Sequence, residues 1–83
     1  MEYTDSGFEP AVISVPVGGS ITFKNDTQGT MWIKGTAVGT SDSFDAGTSV
    51  GQGGVFTFKF TKAGSWTFSN YLKPDHTGRV MVQ

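Results

Sequence analysis

One imidazole is available for chemistry in this sequence, that of His76, which follows Asp75 directly. An imidazole is the usual proton acceptor near neutral pH and a common metal ligand. Met31 adds a thioether, which together with an imidazole would suit Cu(I). One imidazole and one thioether are an incomplete ligand set, so we expect no metal site. If copper binds at all, His76 and Met31 are the residues expected to hold it.

Catalytic chemistry has equally few candidates. Serine and threonine are abundant, but His76 is the sole candidate base and no nucleophile-elbow motif is present. A small hydrolase would need a hydroxyl within hydrogen-bonding reach of His76. Asp42 and Asp45 offer two carboxylates in a glycine-rich stretch, a pattern that suits a solvated loop better than a calcium site. We therefore predict no catalytic residues and no enzyme activity.

Composition narrows the class of protein further. The chain has 83 residues, 6 basic and 7 acidic side chains, a formal net charge of −1 and no Cys. Charge this sparse and balanced favours no nucleic-acid partner, and no apolar run is long enough for a membrane span. Without Cys there is no disulfide framework and no thiolate ligand. We expect one domain over 1–83, monomeric by default, and the sequence shows no signal-peptide pattern.

Period-two alternation of apolar residues predicts the elements that must position these side chains. Phe56, Phe58 and Phe60 alternate with polar residues, the cleanest such pattern in the chain. About seven short strands follow from this reading: one around Ile13–Val17, then Ile21–Phe23, Thr30–Lys34, a short one around Phe44, Phe56–Phe60, Trp66–Phe68 and Val80–Val82. Glycine-containing turns between them predict an all-β sandwich of two sheets.

Three local expectations refine this picture. Pro16 cannot donate to a β-ladder, so the Ile13 strand is expected at an edge or to end there. The first sheet should use the Ile13 and Ile21–Phe23 segments together. Asn25-Asp26-Thr27 matches a glycosylation sequon, although a turn that closes the Phe23 strand is the favoured interpretation.

The order of motifs resembles a cupredoxin, the plastocyanin, azurin and pseudoazurin family of blue-copper domains. The first half carries the resemblance in Gly7-Phe8-Glu9-Pro10, Ile13-Ser14-Val15 and Ile21 to Asp26. The second half carries it in Phe44 to Gly47, Gly53 to Phe60, Lys62 to Phe68, Pro74, Gly78 and Val80-Met81-Val82. The resemblance covers roughly residues 7–83 and implies a Greek-key β-sandwich with copper as the family's cofactor.

The family holds copper with two His, a Cys and usually a weak axial Met. Carried over by position, these ligands fall at Met31 (His), Asn70 (Cys), Lys73 (His) and His76 (Met). A second register, with the motif His-x-His before the loop, falls on Ser69-Asn70-Tyr71. In neither register are the family's ligands present, and without Cys a type 1 copper site is chemically excluded.

The chain keeps the order of cupredoxin motifs, but a different residue stands at every ligand position. This favours a metal-free scaffold or interaction domain that arose by natural drift or by redesign. The alternative is an atypical copper-binding or electron-transfer protein that uses His76 and Met31. The resemblance implies a protein partner at the aromatic end of the copper loop, where Trp32, Trp66 and Tyr71 could cluster. Trp66 alternates in phase with Phe68 and is assigned to the core, and either Met31 or Trp32 should face outward. The resemblance also implies a secreted or periplasmic origin.

Overall fold

The computed structural model describes all residues, 1–83, and contains strands but no helix. Nine strands follow one another along the chain: β1 Glu2–Thr4, β2 Gly7–Glu9, β3 Val12–Val15, β4 Ser20–Asn25, β5 Ile33–Ala37, β6 Ser43–Asp45, β7 Val55–Lys59, β8 Gly64–Asn70 and β9 Lys73–Val82. No helix of the structure is long or apolar enough to cross a membrane. The expected all-β class is confirmed.

The strands form two sheets that pack as a sandwich. The four-stranded sheet has the order β2-β1-β4-β7, and the five-stranded sheet has the order β3-β9-β8-β5-β6. The chain passes from one sheet to the other five times, so consecutive segments interleave around one core. Each sheet contains one parallel pair, β1 with β4 and β3 with β9, and antiparallel pairs otherwise.

The strand count corrects the expected seven to nine. The two additional strands, β1 and β2, are three residues each and form a hairpin, in which Tyr3 pairs with Phe8. Three residues are too few to show a period-two pattern, which is why the sequence did not reveal them. The last strand also begins earlier than predicted, at Lys73. It pairs with β8 along the whole length of that strand, up to the Asn70–Lys73 pair.

The placement of the Ile13 strand in the first sheet was wrong. Ile13 lies in β3, which pairs in parallel with β9 of the five-stranded sheet, whereas Ile21 and Phe23 lie in β4 of the other sheet. The expectation that the Ile13 strand lies at an edge or ends at Pro16 is confirmed, because β3 is an edge strand and ends at Val15. Alternation identifies which side chains share a face, but it contains no information on which strands are neighbours.

Aromatic rings make up most of the core between the sheets. Twelve apolar side chains are buried: Tyr3, Phe8, Ile21, Phe23, Met31, Ile33, Phe44, Phe60, Trp66, Phe68, Val80 and Val82. The predicted phases of the Phe23, Trp66 and Val80 strands are therefore correct. Phe56 and Phe58 also face inward but are only partly buried, at the margin of this cluster. Phe58 stacks on Phe44 with ring centroids 4.5 Å apart.

Two glycines make room for these rings on the inner face of the five-stranded sheet. Gly78, Phe68, Gly35 and Phe44 lie side by side on β9, β8, β5 and β6, so that glycine and phenylalanine alternate across the sheet. A methyl group added at Gly35 would lie 2.6 Å from Phe44 Cζ, and one added at Gly78 would lie 2.8 Å from Phe68 Cε2. The two phenyl rings therefore occupy the space that side chains at these positions would need.

Candidate functional site

The copper-loop end, by which we mean the end of the sandwich formed by residues 26–32 and 70–76, contains the sequence-predicted site residues. Strands β8 and β9 are joined here by a hairpin in which Asn70 pairs with Lys73, so Tyr71 and Leu72 form its tip. The register shifts between Ser69 and Asn70, which marks a bulge. Such an irregularity redirects a side chain at the end of a ladder. Here the redirected side chain is that of Asn70.

Asn70 is 1% exposed, and its amide makes four hydrogen bonds that fix its orientation. Its Oδ1 accepts from the backbone N–H groups of Trp32 (2.9 Å) and Leu72 (3.1 Å). Its Nδ2 donates to the Thr30 carbonyl oxygen (3.1 Å) and to Tyr3 Oη (2.9 Å). Backbone donors on one side and a backbone acceptor on the other permit only this assignment of oxygen and nitrogen. Asn70 therefore ties the hairpin tip to the segment that precedes β5.

The Tyr3 phenol continues this network to His76. Tyr3 is 2% exposed, and its Oη lies 2.8 Å from His76 Nδ1. The two rings meet edge to face at a centroid distance of 5.5 Å. Sequence reasoning missed Tyr3 as a site residue because β1 is so short and because its position beside β9 is a consequence of the tertiary fold alone.

A second buried amide, that of Asn25, fixes the turn that follows β4. Asn25 is fully buried, accepts from the N–H and Oγ1 of Thr27, and donates to the carbonyl oxygens of Gly29 and Val50. This arrangement is the turn that was expected to close the Phe23 strand. The side-chain nitrogen that glycosylation would modify is fully used inside the protein, which favours the turn over the sequon.

The two residues that were expected to hold copper if copper bound at all have different surroundings. Met31 is 1% exposed, forms a β-bridge with Val50 and belongs to the hydrophobic core. His76 is half-buried and lines a small cavity of about 230 Å³ with Tyr3, Asn70 and Lys73. Met31 does not line that cavity, and Lys73 is exposed. No group of three or more His, Cys, Asp or Glu side chains is gathered anywhere in the structure.

The two loop carboxylates, Asp42 and Asp45, form ion pairs with different lysines. Asp42 pairs with Lys62 at 3.1 Å, whereas Asp45 pairs with Lys34 at 3.4 Å. Asp45 Oδ1 also accepts from Trp32 Nε1 (2.6 Å) and from the Gly47 N–H (2.7 Å). Hydrogen bonding to Trp32 is the main reason that the pKa of Asp45 is lowered, followed by the Gly47 hydrogen bond and the charge of Lys34. These contacts are those of a loop with an Asx-type turn, as expected.

Trp32, Tyr71 and Leu72 lie at the surface of the copper-loop end, and we call these three residues the aromatic patch. Tyr71 and Leu72 are 53% and 49% exposed, and the Trp32 and Tyr71 rings meet edge to face at 5.6 Å. The Lys34 ammonium lies 3.9 Å from the Tyr71 ring centroid, within the range of a cation–π contact. Between Met31 and Trp32, it is thus Trp32 that faces outward. Trp66 is buried in the core and is not part of this patch.

Comparison with solved structures relates this arrangement to known proteins. The oxidized form of a point mutant of amicyanin superimposes with a TM-score of 0.87 at 20% sequence identity, over 99% of this chain and 78% of that one. A purple cupredoxin from Nitrosopumilus maritimus gives a TM-score of 0.83 at 22% identity, over 95% of this chain and 84% of that one. The chain has a cupredoxin fold. No family model and no curated protein sequence matches it.

The residues at the copper-ligand positions do not fit the copper of this fold. A type 1 site requires a thiolate, and the chain has no Cys. Asn70, which the resemblance placed at the thiolate position, has both of its polar atoms in hydrogen bonds to the protein. In addition, no buried side-chain nitrogen or oxygen lacks a hydrogen-bond partner, so none is left directed at an absent ligand. The buried polar groups of the copper-loop end are therefore satisfied by the protein's own groups.

Proposed function

We propose that this chain is a metal-free interaction domain built on the cupredoxin fold, without enzyme activity. The observation that carries this proposal is the network around Asn70, which closes the copper-loop end with four internal hydrogen bonds. A buried amide that is fully bonded is stable as it stands, and loss of its partners would be costly. A metal ion at this position would have to displace these hydrogen bonds and would find an amide, not a thiolate.

The aromatic patch is the proposed contact surface for a protein partner with an apolar face. Trp32 is held in three ways: its N–H donates to Asn70, its carbonyl accepts from the Tyr71 N–H (2.6 Å), and its indole N–H donates to Asp45. A surface tryptophan that is already fixed in place loses little conformational freedom on binding. Trp32 is half-buried and Tyr71 is exposed, and tryptophan and tyrosine are enriched among the residues that dominate binding energy.

Copper titration tests the metal-free part of the proposal. Purified protein and the His76→Ala variant are titrated with Cu(II), and with Cu(I) under reducing conditions, while absorption and EPR spectra are recorded. We expect no stoichiometric binding and no difference between the two proteins. Tight one-to-one binding that His76→Ala abolishes would overturn the proposal and support the alternative, a copper-handling protein that uses His76 and Met31.

Paired surface variants test the proposed contact surface. Proteins captured from the native extract by the wild-type domain are compared with those captured by Tyr71→Ser/Leu72→Ser. The control is Val38→Ser, which changes an apolar side chain of similar exposure (58%) outside the patch. We expect a partner that the control variant retains and the patch variant loses. The dissociation constant measured with the purified partner should be at least about tenfold higher for the patch variant than for wild type. Equal capture by both variants would contradict the assignment of the patch.

A further inference from the structure

The free edge of β7 is the longest unpaired strand edge in the protein. Four strands lie at sheet edges, β2 and β7 in one sheet and β3 and β6 in the other. β2 and β6 have three residues each, and β3 has four and is followed directly by Pro16. β7 has five residues, contains no Pro and carries one charged side chain, that of Lys59. Short length, proline and charge are the devices that prevent edge-to-edge pairing, and β7 has the fewest of them.

Alternate backbone groups of β7 point away from the sheet. The N–H of Asn25, at the end of β4, donates to the Gly54 carbonyl oxygen (2.9 Å). Successive residues of an antiparallel strand direct their N–H and C=O groups to opposite sides. Because Gly54 faces β4, the residues Val55, Thr57 and Lys59 direct these groups away from it. β7 pairs with no strand other than β4, so the outward groups have no ladder partner.

The side chains of β7 leave apolar surface uncovered on both faces of the strand. On the inner face, Phe56 and Phe58 are only half-buried, at the margin of the core. On the outer face, Val55 is 55% exposed. A neighbouring strand would remove part of this surface from water, which is favourable. The backbone groups and the side chains of this edge thus both lack a neighbour.

We infer that β7 pairs in antiparallel fashion with β7 of a second copy of this chain, around a two-fold axis at Thr57. Only residues with outward backbone groups can form hydrogen-bonded pairs, and one register of this kind pairs all five residues of the strand. In that register Thr57 faces its own copy and Val55 faces the partner's Lys59. Each of these pairs exchanges two N–H···O hydrogen bonds. Phe56 lies opposite the partner's Phe58 on the inner face.

Charge and symmetry favour a second copy as the occupant of this edge. The ammonium of Lys59 faces an uncharged side chain in this register, so no like charges lie directly opposite each other. A formal net charge of −1 causes little repulsion between two copies. The aromatic pair of Phe56 and the partner's Phe58 occurs twice and is favourable in an antiparallel sheet. Both free edges are used up, so the assembly closes as a dimer and differs from the monomer expected by default.

Sedimentation equilibrium at increasing protein concentration tests this inference. We expect a dimer in the wild type. Val55→Lys places a second ammonium opposite the partner's Lys59, twice in each dimer, and should raise the dissociation constant by at least about tenfold. Val55→Lys/Lys59→Glu places opposite charges in the same pair and should restore dimerisation. The control is Val12→Lys, which changes a valine of similar exposure (59%) on the edge strand β3 and should have no effect.

Hydrogen exchange followed by NMR tests the register directly. We expect the amides of Val55, Thr57 and Lys59 to become protected as the concentration rises, whereas those of Phe56 and Phe58, which face β4, are protected at every concentration. Melting temperatures show that each variant is folded. A wild-type monomer at all concentrations would overturn the inference. A dimer that Val12→Lys weakens as much as Val55→Lys, or one in which the three outward amides stay unprotected, would do the same.

The proposed function and this inference concern different residues, since no residue of the aromatic patch lies in β7. The Tyr71→Ser/Leu72→Ser variant should therefore lose the captured partner and keep the wild-type dimerisation constant. Val55→Lys should lose dimerisation and keep the partner. Loss of the dimer in the patch variant would contradict pairing through β7. The two proposals consequently fail separately.

Discussion

At the scale of single residues, polar side chains at the copper-loop end act as connectors between segments. Asn70 uses both polar atoms of its amide to join backbone segments that are distant in sequence. Asn25 joins its own turn to Val50 through Nδ2, while its Oδ1 accepts from Thr27 within the turn. Asp45 performs a similar task at the surface, where it joins Trp32, Lys34 and Gly47. The aromatic patch is therefore held by hydrogen bonds from its flanks more than by burial.

Asp45 leads to a pH-dependence prediction. Its pKa in the folded protein lies below the ordinary value of 3.8, first because of the Trp32 hydrogen bond. A depressed folded pKa contributes stability that is fully present above the unfolded pKa and is lost as the pH falls through the folded pKa. We expect the difference in melting temperature between wild type and Asp45→Asn to be largest near neutral pH and to shrink below about pH 4.

The matched control for this prediction is Asp75→Asn, which removes one negative charge elsewhere on the surface. Subtracting its effect isolates the contacts of Asp45 from the change in net charge. A melting-temperature difference for Asp45→Asn that is independent of pH would contradict the role given to the Trp32 and Gly47 hydrogen bonds.

At the scale of elements, the alternation of glycine and phenylalanine across the five-stranded sheet sets how closely the core can pack. Gly35 lies between Phe44 and Phe68 on neighbouring strands, and Gly78 lies on the far side of Phe68. Their inner faces are covered by phenyl rings, so these positions accept no side chain without movement of the rings. The glycines thus serve the packing of strands and not the formation of turns.

We expect Gly35→Ala and Gly78→Ala each to lower the free energy of unfolding by about 1–3 kcal/mol, because each adds a methyl group to filled space. Denaturant unfolding measures this loss. The control is Gly51→Ala, where an added methyl group would meet no atom within 4 Å. We expect that change to stay within about 0.5 kcal/mol. Equal effects at all three positions would show that backbone freedom, and not ring packing, determines the cost.

At the scale of the whole molecule, the five crossings of the chain between the sheets make one shared core. The prediction that 1–83 is a single domain can be tested with the same denaturation curves. Far-ultraviolet circular dichroism and tryptophan fluorescence should then report one coincident transition, since Trp66 belongs to the core shared by both sheets. Two separated transitions would contradict a single cooperative unit.

Local patterns in the sequence were sufficient for much of the fold. Alternation around Phe23, Phe58, Trp66 and Val80 correctly predicted the strands and their inward faces, because strand faces depend on neighbours two positions away. Pro16 correctly marked an edge strand through its missing N–H. The ordered series of motifs was enough to indicate the cupredoxin fold, and the lack of Cys was enough to exclude a type 1 copper site.

Only the tertiary structure decided what occupies the copper-loop end. Tyr3 and His76 are 73 positions apart, and Asn70 reaches Thr30 and Trp32 across about half of the chain. No periodic pattern encodes such long-range contacts, since they depend on how the two sheets are placed against each other. The same reason explains why the β1–β2 hairpin and the sheet assignment of Ile13 were not predicted. The sequence contains Tyr3, Asn70 and His76, but only the packing of the two sheets brings these side chains together into one hydrogen-bond network.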